Sequence, residues 1–240
     1  MKKVLLTILV VVICVIAGAA YMGYRVVNDI IAFVCTDCTY QNNGGAVIRG
    51  SGNVTTEARA VGPFTSINLA SSGKVVVERT GAVSLSLTAD DNLLPLFISE
   101  VKGDTLYLSV AKGKSIQGKI PIYRVTVADF HGIRIEGSGD VTATRLDGDA
   151  LTVAIAGAGD VRVAGRADDL TFSISGSGSL DAAQLQAKRA KVAIAGSGNA
   201  TVNASDTLDA RISGSGDVTY IGAPQVTSHV AGSGSIKRKQ

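Results

Sequence analysis

The chain has 240 residues, of which 46% are hydrophobic and 18% charged, and this composition excludes intrinsic disorder, which needs low hydrophobicity and high net charge. The net charge is only +3 and basic residues are not interleaved with aromatic ones, so we expect no nucleic-acid partner. With 28 Gly, no Trp and 5% aromatic residues, the interior must be filled by aliphatic side chains and bare backbone, which predicts a narrow core.

The first predicted element, residues 1–24, is a signal peptide or an N-terminal membrane anchor. Lys2 and Lys3 precede an uncharged stretch at 4–24, which has the pattern of a secretory signal and also the ~20 residues that span a bilayer. Cleavage of the signal and retention as an anchor both stay open. In either case the basic start stays inside, so residues from Arg25 onward are expected to be exported to the periplasm or cell envelope.

Residues 25–52 are predicted to be a juxtamembrane spacer. Cys35 and Cys38 form a CxxC motif within it. A redox motif needs a βαβ context and a zinc site needs a second cysteine pair, and the sequence offers neither. Two interpretations stay open: a local disulfide between Cys35 and Cys38 in an oxidising compartment, or two incidental thiols.

The predicted head domain spans residues 53–240 and begins with irregular strands at 53–130. Runs rich in β-branched and aliphatic residues, bounded by Gly, predict four strands, at 74–77, 83–87, 105–108 and 122–127. A short helical turn is predicted at 90–96, and the segment 70–75 has the pattern of a degenerate glycine corner. We expect this part of the chain to cap one end of the repeats that follow.

Regular repeats are predicted at 131–240, where a Gly-small-Gly tripeptide recurs six times at intervals of 18–20 residues. The flanks repeat too: the apolar-polar alternation of 133–141 returns at 153–161, and this alternation is typical of strands with one buried face. The glycines fall on the inward register, which predicts corners with positive φ or no room for a Cβ atom. The predicted corner residues are Gly137, Gly139, Gly157, Gly159, Gly176, Gly178, Gly196, Gly198, Gly214, Gly216, Gly232 and Gly234.

One repeat cannot bury its apolar face alone, whereas stacked repeats bury a continuous core. We call each repeat a rung; adjacent rungs would lie about 4.8 Å apart and share parallel hydrogen-bond ladders. The predicted fold class is therefore all-β, a right-handed parallel β-helix with GSG-containing rungs of 18–20 residues. A propeller is the alternative, but its blades need about 40 residues, more than one repeat supplies.

The position after the second glycine of each rung carries polar residues, and it includes the two metal candidates of the chain, Asp140 and Asp160. Calcium-binding repeats need a doubled glycine that this sequence lacks. Asp, Asn and Ser in turns commonly bond nearby backbone groups, and this interpretation is favoured over a cation site. No catalytic residues are predicted at His131 or His229. No cofactor is expected, since the glycine pairs run into strands instead of opening a phosphate-binding helix.

The Gly-Ser-Gly-Asp-Val runs, the segments 214–224 and 232–236, and the opening at 64–67 and 103–106 resemble a known family. That family is the putative auto-transporter adhesin, head GIN domain, and the resemblance covers about residues 54–236. It implies a three-sided right-handed β-solenoid at the bacterial cell envelope. It implies no catalytic residues.

Three functional hypotheses follow. The first is a non-enzymatic exported scaffold that binds an envelope, glycan or protein ligand in the manner of an adhesin, held at the membrane through residues 4–24 if these are uncleaved. The second is a structural envelope protein that self-associates into homo-oligomers. The third is a glycan-active β-helix enzyme, which needs carboxylates and a basic group clustered on one face. Outward positions are mostly Ser, Ala and Thr, so we expect no such cluster.

Overall fold

A computed structural model describes residues 47–239 of the chain, which lie in one unit, Gly45–Gln240. The predicted signal or anchor and the CxxC motif of Cys35 and Cys38, with both of its interpretations, fall outside the described residues. Between residues 47 and 239, no helix has the length and apolar character needed to cross a bilayer.

Residues 47–239 form seventeen strands and one short 3₁₀ helix, Leu94–Leu96, which lies in the predicted helical turn. The strands are β1 (Val47–Arg49), β2 (Val54–Arg59), β3 (Ser66–Leu69), β4 (Lys74–Arg79), β5 (Ser84–Asp90), β6 (Phe97–Lys102), β7 (Thr105–Val110), β8 (Ser115–Gln117), β9 (Ile122–Val127), β10 (Gly132–Gly137), β11 (Asp140–Gly157), β12 (Asp160–Gly176), β13 (Ser179–Gly196), β14 (Asn199–Gly214), β15 (Asp217–Ile221), β16 (Gln225–Gly232) and β17 (Ser235–Arg238).

Long strands β11 to β14 each run almost one whole rung, and each pairs in parallel with the next. Equivalent residues of the repeat lie in register, so that Gly157 pairs with Gly176, which pairs with Gly196. Strands β16 and β17 add the last rung on β14 and β15. The result is a β-solenoid of about five turns, which confirms the predicted fold class.

The core is the column of inward-facing side chains that the alternation predicts. Ile135, Ile155, Ile174 and Ile194 follow one another up the stack, each at most 3% exposed. Phe172 is fully buried in the neighbouring column. Burying such a side chain contributes about 1.5–3 kcal/mol, so the repeated aliphatic columns stabilise the stack of rungs.

The irregular strands of residues 53–130 contribute both to the parallel stack and to a cap at its end. Strands β3 and β4 pair in parallel with β10 and β11, and this places Ser71 and Gly73 at the corner position, where Asp140 N–H donates to Gly73 O at 2.8 Å. Strands β7 and β9 extend the stack by one more layer. The cap is therefore smaller than the sequence predicts. It consists of strands β2, β5 and β6, which pair antiparallel to their neighbours and so do not continue the parallel stack.

A carboxylate fixes the start of the described chain onto the head. Strand β1 precedes the predicted boundary at residue 53 and pairs in parallel with β8. Asp90, 1% exposed, accepts hydrogen bonds from the backbone N–H of Gly52 at 3.1 Å and of Lys119 at 2.9 Å. A Cβ atom on Gly50 or Gly118 would overlap the Asp90 side chain, so both positions require glycine.

Asp90→Ala is expected to loosen this attachment, because the N–H groups of Gly52 and Lys119 lose their acceptor. We expect the free energy of unfolding to fall by about 1–3 kcal/mol. Amide hydrogen exchange should rise mainly at 50–53 and 117–119. Asp90→Asn keeps one acceptor oxygen and should have the smaller effect. Unchanged exchange in both variants would show that Asp90 does not hold β1 in place.

Candidate binding surface

The glycines predicted to form corners come in pairs at the breaks between consecutive long strands. In the pair Gly176 and Gly178, the first glycine has φ +136° and is half-buried, whereas the second is fully buried. A Cβ atom on either would overlap the carbonyl oxygen of the matching glycine one rung earlier, Gly157 or Gly159. The intervening Ser177 is exposed. The corners thus let successive rungs approach closely and leave only short side chains outside.

Short side chains point outward from the strand segments that lead into each glycine pair. Residues in register from rung to rung give two columns of Ala and Ser. We call this surface the small-residue face; it consists of Ala154, Ala156, Ser173, Ser175, Ala193, Ala195 and Ser213. Short side chains on a regular parallel sheet leave the rigid backbone close to the surface, and five of these residues line one open hollow.

Larger polar residues border this face at both ends. Towards the C-terminus, Arg211 and His229 border a hollow of about 470 Å³, and Arg211 Nη1 lies 3.0 Å from Asp209 Oδ2. Towards the cap, a hollow of about 390 Å³ is lined by Tyr107 and Asn68 among others. We call the second one the Tyr107 hollow.

Three strands supply the polar groups of the Tyr107 hollow. Tyr107, Asn68 and Arg134 lie in register on β7, β3 and β10. Arg134 Nε donates to Glu136 Oε1 at 2.7 Å, and Asn68 Nδ2 donates to the same oxygen at 3.3 Å. The hydrogen bond from Arg134 and, to a lesser extent, the one from Asn68 hold the pKa of the Glu136 carboxyl below its usual value. Lys102 Nζ lies 5.6 Å from the centre of the Tyr107 ring.

The predicted metal candidates lie in a different hollow, of about 210 Å³, on the side that follows the corners. Asp140 and Asp160 share it with Lys74, Arg162 and Asp181, and Arg162 Nε donates to Asp181 Oδ2 at 3.3 Å. The sequence predicts no such grouping of carboxylates with basic groups; stacking creates it, because adjacent rungs bring these residues together. Nowhere in residues 47–239 do three or more acidic, His or Cys side chains form a metal-binding group.

Polar side chains after the second glycine form bonds from one rung to the next. Asn199 Oδ1 accepts from the N–H of Asp217 at 3.0 Å, and Asp217 Oδ1 accepts from the N–H of Ser235 at 2.8 Å and its hydroxyl at 2.6 Å. The Ser235 hydroxyl and then its N–H hold the pKa of Asp217 below its usual value. At Asp160 the contact is weaker, with its N–H 3.4 Å from Asp140 Oδ1.

Asp160→Asn is expected to leave stability unchanged or to raise it slightly at low salt, because it removes repulsion from Asp140 one rung away. That repulsion is on the order of 1 kcal/mol in water and is screened by salt. Asp217→Asn is the matched control, and it should lower the melting temperature slightly, because Asn keeps an acceptor oxygen for Ser235 but loses the negative charge that strengthens both bonds. A rise in melting temperature with millimolar calcium in the wild type but not in Asp160→Asn would instead establish a cation site.

The two histidines, His131 and His229, are not in contact. His131 precedes β10 and lies 3.3 Å from Asp129, whereas His229 lies on β16 in the last rung. Asn68, Tyr107, Arg134 and Glu136 were not among the site residues predicted from the sequence. One signal was present: Arg134 and Glu136 stand where the next rungs carry Ala or Ser.

A family model described as "Putative auto-transporter adhesin, head GIN domain" matches residues 63–224. No curated protein matches the sequence. A solved structure of a putative adhesin from Bacteroides fragilis NCTC 9343 is 26% identical, with a TM-score of 0.67 over 80% of this chain and 100% of that chain. A putative lipid binding protein from Parabacteroides distasonis ATCC 8503 is 25% identical, with a TM-score of 0.51 over 80% and 99%. Because the family model covers well over half of the sequence, this chain belongs to the putative auto-transporter adhesin, head GIN domain family.

Proposed function

We propose that the protein is an exported, non-enzymatic binding scaffold of the bacterial cell envelope that acts as an adhesin does. The family description and the name of the Bacteroides fragilis structure support adhesion. The basic start and uncharged stretch of residues 1–24 support export and a site at the membrane or in the envelope.

The small-residue face is the structural observation that best supports this proposal. Its backbone is fixed by parallel ladders on both sides, and its side chains are Ala and Ser, so a partner that settles on it orders almost no side chains. Binding is favoured when little conformational entropy is lost. An anchored protein would also be present in many copies on one surface, and multivalency raises the avidity of weak contacts.

Binding by many immobilised copies tests the proposal. The purified full chain is coupled to beads at high density and applied to arrays of glycans and matrix proteins. We expect binding that Ala193→Arg abolishes, because a long charged side chain would stand in the centre of the small-residue face. Thr201→Arg introduces the same side chain on the side that follows the corners and should leave binding intact. Absence of wild-type binding at the highest bead density contradicts the proposal.

Self-association is the second candidate, and the last rung favours it. Val226 and Val230 on β16 are 37% and 38% exposed, and one edge of β16 has no partner strand among residues 47–239. Lys237 and Arg238 on β17 would repel a second copy at that end, so association should strengthen with salt. Sedimentation that shows a monomer at every protein and salt concentration would eliminate this candidate.

A further inference from the structure

A buried side chain in the Tyr107 hollow has an unused hydrogen-bonding atom. Asn68 is 6% exposed, and its Oδ1 has no hydrogen-bond partner among residues 47–239, although its Nδ2 is bonded to Glu136. Buried polar atoms are nearly always paired, and leaving an acceptor unpaired is costly. Because this oxygen is covered by protein, a donor from outside the chain completes the site only after an exposed neighbour such as Arg134 turns aside.

The groups around Asn68 form a floor and two walls. Tyr107 and Arg134 stand one strand away on either side, which separates their backbones by about 10 Å. Gly132 forms part of the floor, where a Cβ atom would lie only 2.7 Å from Ser66 Oγ. The missing side chain at Gly132 leaves the Ser66 hydroxyl uncovered. The volume, about 390 Å³, is within the ~300–1,000 Å³ of small-ligand sites.

Charges in and around the hollow are balanced in pairs. Arg134 is paired with Glu136 at 2.7 Å, and Lys102, which lies over Tyr107, is paired with Glu100 at 2.9 Å. Because Arg134 is already paired, the hollow offers no free cation to an anionic ligand. Such a ligand would have to displace Glu136 from Arg134. A neutral ligand with several hydroxyl groups meets donors and acceptors that are already oriented.

We propose that the Tyr107 hollow is a glycan subsite that binds one ring of a neutral pyranoside. A sugar hydroxyl donates to Asn68 Oδ1 and a second donates to the Glu136 carboxylate, while Arg134 donates to a ring or hydroxyl oxygen. The C–H face of the ring packs on the Tyr107 side chain, since aromatic rings supply large apolar contact area. This inference rests on the proposed binding function and names its ligand class.

Titration with neutral disaccharides tests the subsite. The full chain in detergent is titrated with lactose, cellobiose and N,N′-diacetylchitobiose, and binding is followed by ligand-observed NMR. We expect saturable binding of at least one of them with a dissociation constant on the order of 1 mM. Tyr107→Ala and Arg134→Ala should each weaken it by about tenfold or more, since each removes a wall of the site.

Arg211→Ala is the matched control. Arg211 also borders the small-residue face, is also paired with a carboxylate, and has a similar side-chain exposure, 56% against 59% for Arg134. It should change the dissociation constant less than about twofold. Melting curves verify that each variant is folded. If Tyr107→Ala is unfolded, Tyr107→Leu replaces it, and the weakening is still expected because the ring is lost.

Two results overturn the glycan subsite: no saturable binding of any of the three disaccharides, or binding that neither Tyr107→Ala nor Arg134→Ala weakens. The bead assay separates this failure from failure of the scaffold function. If Ala193→Arg abolishes bead binding while the Tyr107 and Arg134 variants bind normally, the subsite is wrong and the scaffold function stands. If the wild type binds nothing in either assay, both proposals fail.

Discussion

Gly176→Val is expected to lower the free energy of unfolding by about 2–6 kcal/mol. At φ +136° a β-branched residue is strained, and its Cβ atom would overlap the carbonyl oxygen of Gly157. That oxygen cannot move alone, because it accepts the N–H of Ser177 at 3.0 Å and belongs to a parallel ladder. The substitution must therefore push two rungs apart at the corner.

Ser177→Val is the control for this prediction. Ser177 is the exposed middle residue of the same tripeptide, so the new side chain faces water and the change should be within about 0.5 kcal/mol. Urea unfolding of both variants measures the difference. Equal destabilisation would show that the corner glycines are not needed for close approach of the rungs.

Phe172→Ala is expected to cost about 3–5 kcal/mol of stability. Phe172 is fully buried and lies in register between Val153 on the preceding rung and Val192 on the next. Val153 and Val192 are held in parallel ladders and cannot shift far into the cavity, so the lost contacts are not replaced.

Phe172→Leu keeps most of the volume and should cost less than about 1.5 kcal/mol. Ser173→Ala, the outward neighbour, should be close to neutral. Chemical denaturation with a fixed m-value provides the comparison. A loss below about 1 kcal/mol for Phe172→Ala would mean that the column collapses around the missing ring.

The regular part of the fold is readable from sequence because every rung repeats the same local pattern. The alternation around residues 133–141 and 153–161 predicts which side chains face inward, and the recurring Gly-small-Gly tripeptides predict which residues stack. In a solenoid the partner of a residue is its own equivalent one repeat later, so local periodicity and long-range pairing carry the same information. The buried isoleucine columns follow directly.

The irregular strands lack that equivalence. The degenerate glycine corner at 70–75 is the one signal in the sequence that β3 and β4 belong to the parallel stack, and no pattern predicts that β2 and β5 form a cap. For the same reason the attachment of β1 to β8 through Asp90 was not predicted.

The all-β class, the rung length and the inward register can be predicted from the sequence, because they depend on local spacing. Which polar side chains meet on the surface depends on the tertiary structure. Asn68, Tyr107 and Arg134 come from three strands whose order in the sheet differs from their order in the chain. Their proximity depends on how the degenerate rungs join the regular ones, and that is settled by packing, not by any local pattern.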